Sequence, residues 1–327
     1  MSGQGRSAPV VGVDLGGTKI LVGIVSAGHE ILGRSKRSTP AQAGGDAILS
    51  AIVSAIDQAL EEAGLRREDI AGIGVGSPGP IDSDRGLIRF SSNLNVQDWP
   101  LGTDLAEAVG RPTLLQNDVR VGGYGEFRLG AGRGFKNVLV AFVGTGIGGC
   151  YLVDGKIQEG ATGNAGEIGH IVVKSKGPLC GCGRRGCLEA LSSRSAIAKR
   201  IHKATKRGEV SVLAEKVEKK SHKLKSGDLA AAVLEGDAVA LREVERSAFY
   251  LGQGLGGLVN FLGPEIVIVG GGVIAALDSF IMPLIRASAR QQILVDPDQR
   301  IKIEAATLGD DAGILGAALM AQERFGS

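Results

Sequence analysis

The stretch VVGVDLGGTKILVGIVSAGHEILG, residues 10–33, decides the fold. Runs of valine, isoleucine and leucine are broken by Gly16-Gly17 and then by Gly28, which predicts strand, glycine turn, strand, turn, strand. That is an antiparallel meander. The device returns at NVLVAFVGTGIGGCYLVDGKI, residues 137–157, where Asp154-Gly155 marks the second turn. Two copies of one three-strand device predict two related halves.

The segments around the copies complete an α/β pattern. In GDAILSAIVSAIDQALEEAG, Ile48, Leu49, Ile52, Val53, Ile56 and Leu60 recur at helical spacing and Gly64 supplies a C-terminal cap. IAGIGVGSPGPID predicts a buried strand running into a Gly-Pro loop, and RPTLLQNDV a strand ending at Asn117-Asp118. The second half adds a long helical stretch after Ser192, a strand at EIVIVGGGV and an amphipathic helix near AGILGAALMAQERF. A chain of 327 residues exceeds what one core usually organises. The expected domains are residues 1–118 and a larger 119–311, with the last helix, about 312–327, a candidate to pack back on the first.

Composition narrows the function classes. A formal net charge of +2 offers no global field for nucleic acid or an anionic membrane. The stretch Lys203 to Asp228 mixes acids with its lysines and has no aromatic residue, so it reads as a solvated helix face rather than a nucleic-acid patch. The start, MSGQGRSAPVVGVDLGG, has no cationic segment before a long apolar run, so no secretory signal is expected. Pro264, Glu265 and Gly270-Gly271-Gly272 break the apolar stretch from Gly254 to Leu277, so no membrane span is expected either. The expected compartment is the cytoplasm, where clustered cysteines favour metal over disulfides.

The 52 glycines fall in short tight motifs. Gly144 to Gly149, GTGIGG, contains G-x-G-x-x-G, but a dinucleotide site needs a helix directly afterwards, and Cys150-Tyr151-Leu152-Val153 continues as a strand. A glycine-rich hairpin tip serves phosphate differently. Its successive backbone N–H groups form a concavity for an anion, and a threonine adds a hydroxyl. The tips at Gly16, Gly17, Thr18 and at Gly144, Thr145, Gly146, with Gly271 and Gly272 after a buried strand, suit a polyphosphate better than a set of unrelated turns does. Asp14 in the first tip would repel phosphate unless it held Mg²⁺, and Lys19 adds a local positive charge.

Asp118 has two readings, a helix N-cap and a general base for a substrate hydroxyl that attacks the γ-phosphorus of ATP. His170, Cys180, Cys182 and Cys187 supply one imidazole and three thiolates, a set suited to tetrahedral zinc. Unligated thiols and a redox role are the other readings. Four protein ligands would close the shell, which makes the metal structural rather than catalytic. Glu167 and Glu189 flank this set, so a loop folded around zinc would fix both carboxylates as acceptors for a polyhydroxylated substrate. His170 could bind metal through one ring nitrogen and donate to that substrate through the other.

Taken as a set, Asp14-Leu-Gly-Gly-Thr-Lys19, Gly76-Ser-Pro-Gly-Pro-Ile-Asp82, Asn117-Asp118, Gly144-Thr-Gly-Ile-Gly-Gly149 and Gly166-Glu-Ile-Gly-His170 with the cysteine cluster resemble the ROK family of bacterial sugar kinases and repressors. The resemblance covers nearly the whole chain. It implies the two-domain actin-like, hexokinase-like and ribonuclease H-like ATPase fold, with sugar and nucleotide in the cleft between two α/β domains. It implies Asp118 as catalytic base, with Asn93, Asn117, Glu167, His170 and Glu189 approaching the sugar hydroxyls. It implies Mg²⁺-ATP, structural zinc, and a homodimer or homotetramer.

The expected reaction is therefore phosphorylation of the 6-hydroxyl of glucose by ATP. Phosphorylation of N-acetylmannosamine, N-acetylglucosamine, mannose or fructose is the alternative, and a non-catalytic sugar-sensing regulator is the alternative from another class. Many family repressors carry an additional N-terminal helix-turn-helix domain, and with nine residues before Val10 none is expected here. The chain departs from the family pattern after Asp118, where VRVGGYGEFRLGAG replaces an alanine-rich helix. Gly122, Gly123 and Gly125 are expected to weaken that helix start, and Arg120 to place a charge near the cleft.

Overall fold

The computed structural model describes residues 8–220, 224–296 and 300–326. The opening residues read above for an export signal, and residues 221–223 of the charged stretch, lie outside the described residues. The chain divides into two compact units. The first runs to Gly130 and takes in Glu159–Ala165 and the chain from Asp310; the second holds Ala131–Gln158 and Gly166–Gly309.

In the first unit β1 (Val10–Leu15), β2 (Lys19–Val25) and β3 (Ile31–Ser38) form the predicted meander. Helix α1 (Gly45–Ala63) follows, with Ile48, Ile52, Ile56 and Leu60 buried and Gly64 in the left-handed region as its cap. Each such aliphatic side chain contributes about 1.5–3 kcal/mol by leaving water. Next come β4 (Ile73–Ser77), a small sheet of β5 (Ile81–Asp82), β6 (Leu87–Ser91) and β7 (Val96–Trp99), then α2 (Leu101–Val109), β8 (Thr113–Asn117) and α3 (Asp118–Arg128). The main sheet has the order β3-β2-β1-β4-β8, with β1, β4 and β8 parallel.

The second unit repeats that plan. Strands β9 (Val138–Val143), β10 (Ile147–Val153) and β11 (Lys156–Ile157) form the second meander. They are followed by α4 (Leu188–Ser192), α5 (Arg194–Lys206), α6 (Ala214–Lys220), α7 (Ser226–Leu234) and α8 (Ala238–Leu262). Strand β12 (Ile266–Gly270), α9 (Gly272–Arg290) and β13 (Lys302–Ala305) complete the sheet β11-β10-β9-β12-β13, in which β9, β12 and β13 are parallel. The strand orders match element for element, as the repeated sequence device requires.

Helix α10 (Asp311–Phe325) packs within the first unit on β1, β4 and α3. This contact explains Gly125 of α3 and Gly316 of α10. A Cβ on Gly316 would lie 1.8 Å from the Val121 carbonyl oxygen, and one on Gly125 would lie 2.6 Å from that of Ala312. The expected weakening of the helix start is not observed, since α3 is helical from Asp118 onward and close packing offsets poor glycine propensity. The same contact carries the first unit through α3 to Gly130, beyond the Asp118 boundary read from the sequence. Among the described helices, α9 alone is long and apolar enough to cross a membrane by length and composition. Its Val273, Ile274, Leu277, Ile281 and Ile285 belong to the second unit's core.

Candidate active site

Asp14 lies one residue before the end of β1, paired with Leu21 on β2 and with Gly76 on β4. Its carboxyl is buried, which pushes its pKa above the ordinary 3.8; Lys19 opposes that rise and Asp310 adds to it. The Lys19 ammonium makes an ion pair with Asp310 at 3.0 Å, so the charge expected at the first tip is held beside the start of α10. The tip itself is closed by the Gly16 N–H donating to the Lys19 carbonyl at 2.9 Å. The Thr39 hydroxyl braces it by donating to the Gly16 carbonyl at 2.6 Å. Gly17 packs on Asn93, whose Cβ and carbonyl oxygen would each be 3.0 Å from a Cβ at position 17. A predicted phosphate turn and a predicted sugar contact are thus neighbours.

At the β8–α3 junction the cap belongs to Asn117 rather than Asp118. The Asn117 Oδ1 accepts from the N–H groups of Val119 and Arg120 at 3.1 and 3.3 Å, and its Nδ2 donates to the Gly79 carbonyl at 3.3 Å. Asp118 opens α3, and its Oδ1 accepts from the Val119 N–H at 2.9 Å. With the capping role filled by Asn117, Asp118 is not needed for it.

Arg120 does not place a loose charge at the site. It is buried, and its Nη2 donates to the carbonyls of Gly163 and Ala165 at 2.7 and 3.2 Å. Its Nη1 lies 3.4 Å from Gln116 Oε1 and 3.6 Å from Glu159, and Gln116 also donates to Glu159 at 2.7 Å. Arg120 therefore ties segment Glu159–Ala165 to the helix that begins with Asp118. Sequence reasoning missed this role; an arginine among the glycines of a helix start was the only signal.

In the second unit the β9–β10 tip is closed by the Gly144 N–H donating to the Gly146 carbonyl at 2.9 Å. Arg194 holds the tip from α5. Its backbone N–H donates to the Gly144 carbonyl at 3.0 Å and its Nη2 to the Thr145 hydroxyl at 2.6 Å. The turn after β12 meets the base of this tip, because Gly271, at φ 90°, lies where a Cβ would come within 2.6 Å of the Val143 carbonyl oxygen. Only glycine fits there. Helix α9 then starts at Gly272 without a side-chain cap, leaving backbone N–H groups for an anion. The structure therefore brings Gly144, Thr145, Gly146, Gly271 and Gly272 into one neighbourhood.

The cysteine loop is a compact knot of backbone hydrogen bonds. Cys180 N–H donates to Arg184 at 2.8 Å, Gly183 N–H to Cys180 at 3.0 Å, and Val172 bridges Cys187. One donor atom from each of His170, Cys180, Cys182 and Cys187 falls within 4.8 Å of the others. Cys182 Sγ is 3.7 Å from Cys187 Sγ, and His170 Nδ1 is 3.7 Å from Cys180 Sγ. Tetrahedral Zn–S bonds of about 2.3 Å require sulfur atoms about 3.8 Å apart, so the residues fit zinc. Hydrogen bonds from Arg184 bring the exposed Cys182 thiol down to about 6, while burial and the neighbouring thiols push Cys187 up to about 12. Burial also raises Cys180. A dication at the centre would draw the remaining protons off these sulfurs. The fourth cysteine, Cys150, lies buried on β10 and is not part of this cluster.

Glu189 stands in the first turn of α4, directly after Cys187 and Leu188. Its Oε2 accepts from the Ile147 N–H at 3.0 Å, and its Oε1 faces the Cys180 sulfur at 3.8 Å. A Cβ on Gly146 would sit 2.4 Å from Oε2. Glu167 is exposed, and its carbonyl accepts from the His170 N–H at 3.0 Å.

A family model described as the ROK family matches residues 10–324. The glucokinase of Halalkalibacterium halodurans is 36% identical over 97% of this chain and 96% of its own. The crystal structure of a ROK hexokinase from Thermus thermophilus is 36% identical with a TM-score of 0.80, covering 97% of this chain and 98% of that one. A ROK family glucokinase from Streptomyces griseus, solved with glucose and AMPPNP, is 33% identical with a TM-score of 0.82, covering 96% of this chain and 99% of that one.

Proposed function

This chain belongs to the ROK family, and from that premise we propose that it is an ATP-dependent hexokinase that phosphorylates the 6-hydroxyl of glucose, giving glucose 6-phosphate and ADP. Its fold is the two-domain actin-like fold of these sugar kinases. The observation that carries the reading lies in the second unit. The Ile147 N–H at the phosphate tip is bonded to Glu189, two residues past the metal ligand Cys187. One carboxylate thereby joins the loop that would read a sugar to the turn that would read a phosphate chain.

In the proposed reaction Asp118 takes the proton of the 6-hydroxyl as that oxygen bonds to the γ-phosphorus of ATP. The bond from the γ-phosphorus to the β,γ-bridging oxygen breaks, and ADP leaves. The hydrogen bond from Val119 N–H to Asp118 Oδ1 orients the carboxylate without proton transfer to it. Asn93, Asn117, Glu167 and Glu189 bind sugar hydroxyls, with carboxylate oxygens accepting several hydrogen bonds each. His170, turned to the cysteines through Nδ1, keeps Nε2 for the sugar. The tips at Gly16, Gly17, Thr18, Lys19 and at Gly144, Thr145, Gly146, with Gly271 and Gly272, orient the phosphates. Asp14 would hold Mg²⁺, directly or through water, and the ion would supply positive charge to offset that of the phosphates. His170, Cys180, Cys182 and Cys187 would hold a structural zinc, which would fix the positions of Glu189 and His170.

The proposal includes a cytoplasmic homodimer or homotetramer. Linking product formation to a dehydrogenase specific for glucose 6-phosphate tests the reaction. Signal is expected with glucose and ATP together, and its absence alongside ADP release would move the phosphate to another hydroxyl or another sugar.

A further inference from the structure

Arg194 opens α5, and its guanidinium lies where the β9–β10 tip, the start of α7 and the start of α9 come together. We propose that Arg194 contacts the phosphate chain of ATP and is the cation that the second unit brings to it. The inference rests on the reading of Gly144, Thr145, Gly146, Gly271 and Gly272 as phosphate turns, and it adds a residue that the sequence motifs did not single out.

The hydrogen bonds around Arg194 set two hydroxyls as donors. Its Nη2 donates to the Thr145 hydroxyl at 2.6 Å and its Nη1 to the Ser226 hydroxyl at 3.2 Å. Ser226 is the first residue of α7, and its Oγ would lie 3.2 Å from a Cβ on Gly272, the first residue of α9. One guanidinium therefore joins hydroxyls beside two of the phosphate turns. A hydroxyl has one proton to donate and two lone pairs with which to accept. Because Thr145 and Ser226 accept from Arg194, each keeps its own proton for an anion.

The charge on Arg194 is not met within the protein. The side chain is half-buried, and burial with no opposing carboxylate draws its pKa below the ordinary arginine value. Among the described residues it makes no ion pair. Lys19 at the first tip differs, since Asp310 meets its ammonium at 3.0 Å. Arg200 on the same helix differs too, since Glu243 meets its guanidinium at 2.6 Å. A guanidinium carries N–H donors beyond those that Thr145 and Ser226 receive, arranged in a fork that matches phosphate oxygens.

Bracing the tip would not require this charge. The Arg194 backbone N–H already holds the Gly144 carbonyl at 3.0 Å, and a neutral side chain can donate to a hydroxyl. A partly desolvated cation left without a carboxylate, between two hydroxyls that have protons to give, fits a ligand with several anionic oxygens.

The test compares wild type, Arg194→Gln and Arg194→Lys by calorimetric titration of the full chain with AMPPNP over a range of salt, and by the KM values for ATP and glucose. Both variants keep an N–H donor at this position, and only lysine keeps the charge. Arg194→Gln should bind AMPPNP about 10–100-fold more weakly, the effect of losing a hydrogen bond between charged groups. Its ATP KM should rise to match while its glucose KM stays at the wild-type value, and its AMPPNP affinity should depend less steeply on salt. Arg194→Lys should recover most of the affinity and of the salt dependence. Wild-type AMPPNP affinity in Arg194→Gln, equal losses in the two variants, or a glucose KM that rises with that for ATP would overturn the proposal and leave Arg194 as a brace. In each of those cases the wild type still binds AMPPNP, so the reading of the turns stands. A wild type that binds no AMPPNP would overturn both.

Discussion

The Ile147 backbone N–H donates to Glu189 Oε2 across 3.0 Å, and this bond links the tip of β9–β10 to the helix that follows Cys187. Gly146 is the neighbour that permits it, since a Cβ there would lie 2.4 Å from the same oxygen. Gly146→Ala should therefore displace Glu189 and the tip together. The KM values for ATP and for glucose should both rise, with kcat/KM lower by about 10²-fold, the usual cost of a misplacement near 1 Å. A rise in one KM alone would show that the two groups act independently.

Removing the metal should act at a distance through the same connection. Cys182→Ser leaves three ligands, so the purified variant should lose zinc when measured by mass spectrometry. Its glucose KM should rise by about 10–100-fold, the range seen when metal-supporting residues are lost. A zinc-free variant with normal glucose KM would separate the cluster from the sugar.

Arg120 supports the segment Glu159–Ala165 from beneath, through the carbonyls of Gly163 and Ala165. Arg120→Met keeps the apolar stem but leaves those acceptors without their donor. Unfolding in urea should show a loss of about 1–3 kcal/mol, the cost of unsatisfied buried polar groups. Arg120→Lys should recover only part of it, because a single ammonium lacks the planar fork.

Asp14 gives a pH signature. Its buried carboxyl has a folded pKa above 3.8, so the folded chain holds this proton more tightly than the unfolded one. The cost to stability is absent below 3.8 and grows as pH rises through the raised folded value. Asp14→Asn should then be more stable than wild type at neutral pH and lose that advantage below 3.8, while activity at limiting Mg²⁺ collapses. Denaturation midpoints at the two pH values check the sign. A variant less stable at neutral pH would mean that Lys19 outweighs burial.

Much of this was legible in the sequence because it is written in local patterns. The two glycine-tipped meanders and their equivalent sheets followed from period-two runs and turn residues, and the gathering of His170, Cys180, Cys182 and Cys187 within 4.8 Å from their types and spacing. What was hidden depends on partners remote in the chain. The helix over Asp118–Arg128 persists despite its glycines because α10 packs against it, closely at Gly125, which no local propensity records. Arg120 read as a charge near the cleft because its acceptors, the carbonyls of Gly163 and Ala165, lie more than forty residues away in the chain.

The central claim is tested most directly by steady-state ADP production from ATP with glucose, N-acetylglucosamine, N-acetylmannosamine, mannose and fructose, using wild type and Asp118→Asn. Glucose should give the highest kcat/KM. The variant should lose about 10²–10⁴-fold in kcat at nearly unchanged glucose KM, because the base is lost while the Asn117 cap and helix start remain. No sugar raising turnover above the ATPase background, or an Asp118→Asn variant with full kcat, would contradict the account.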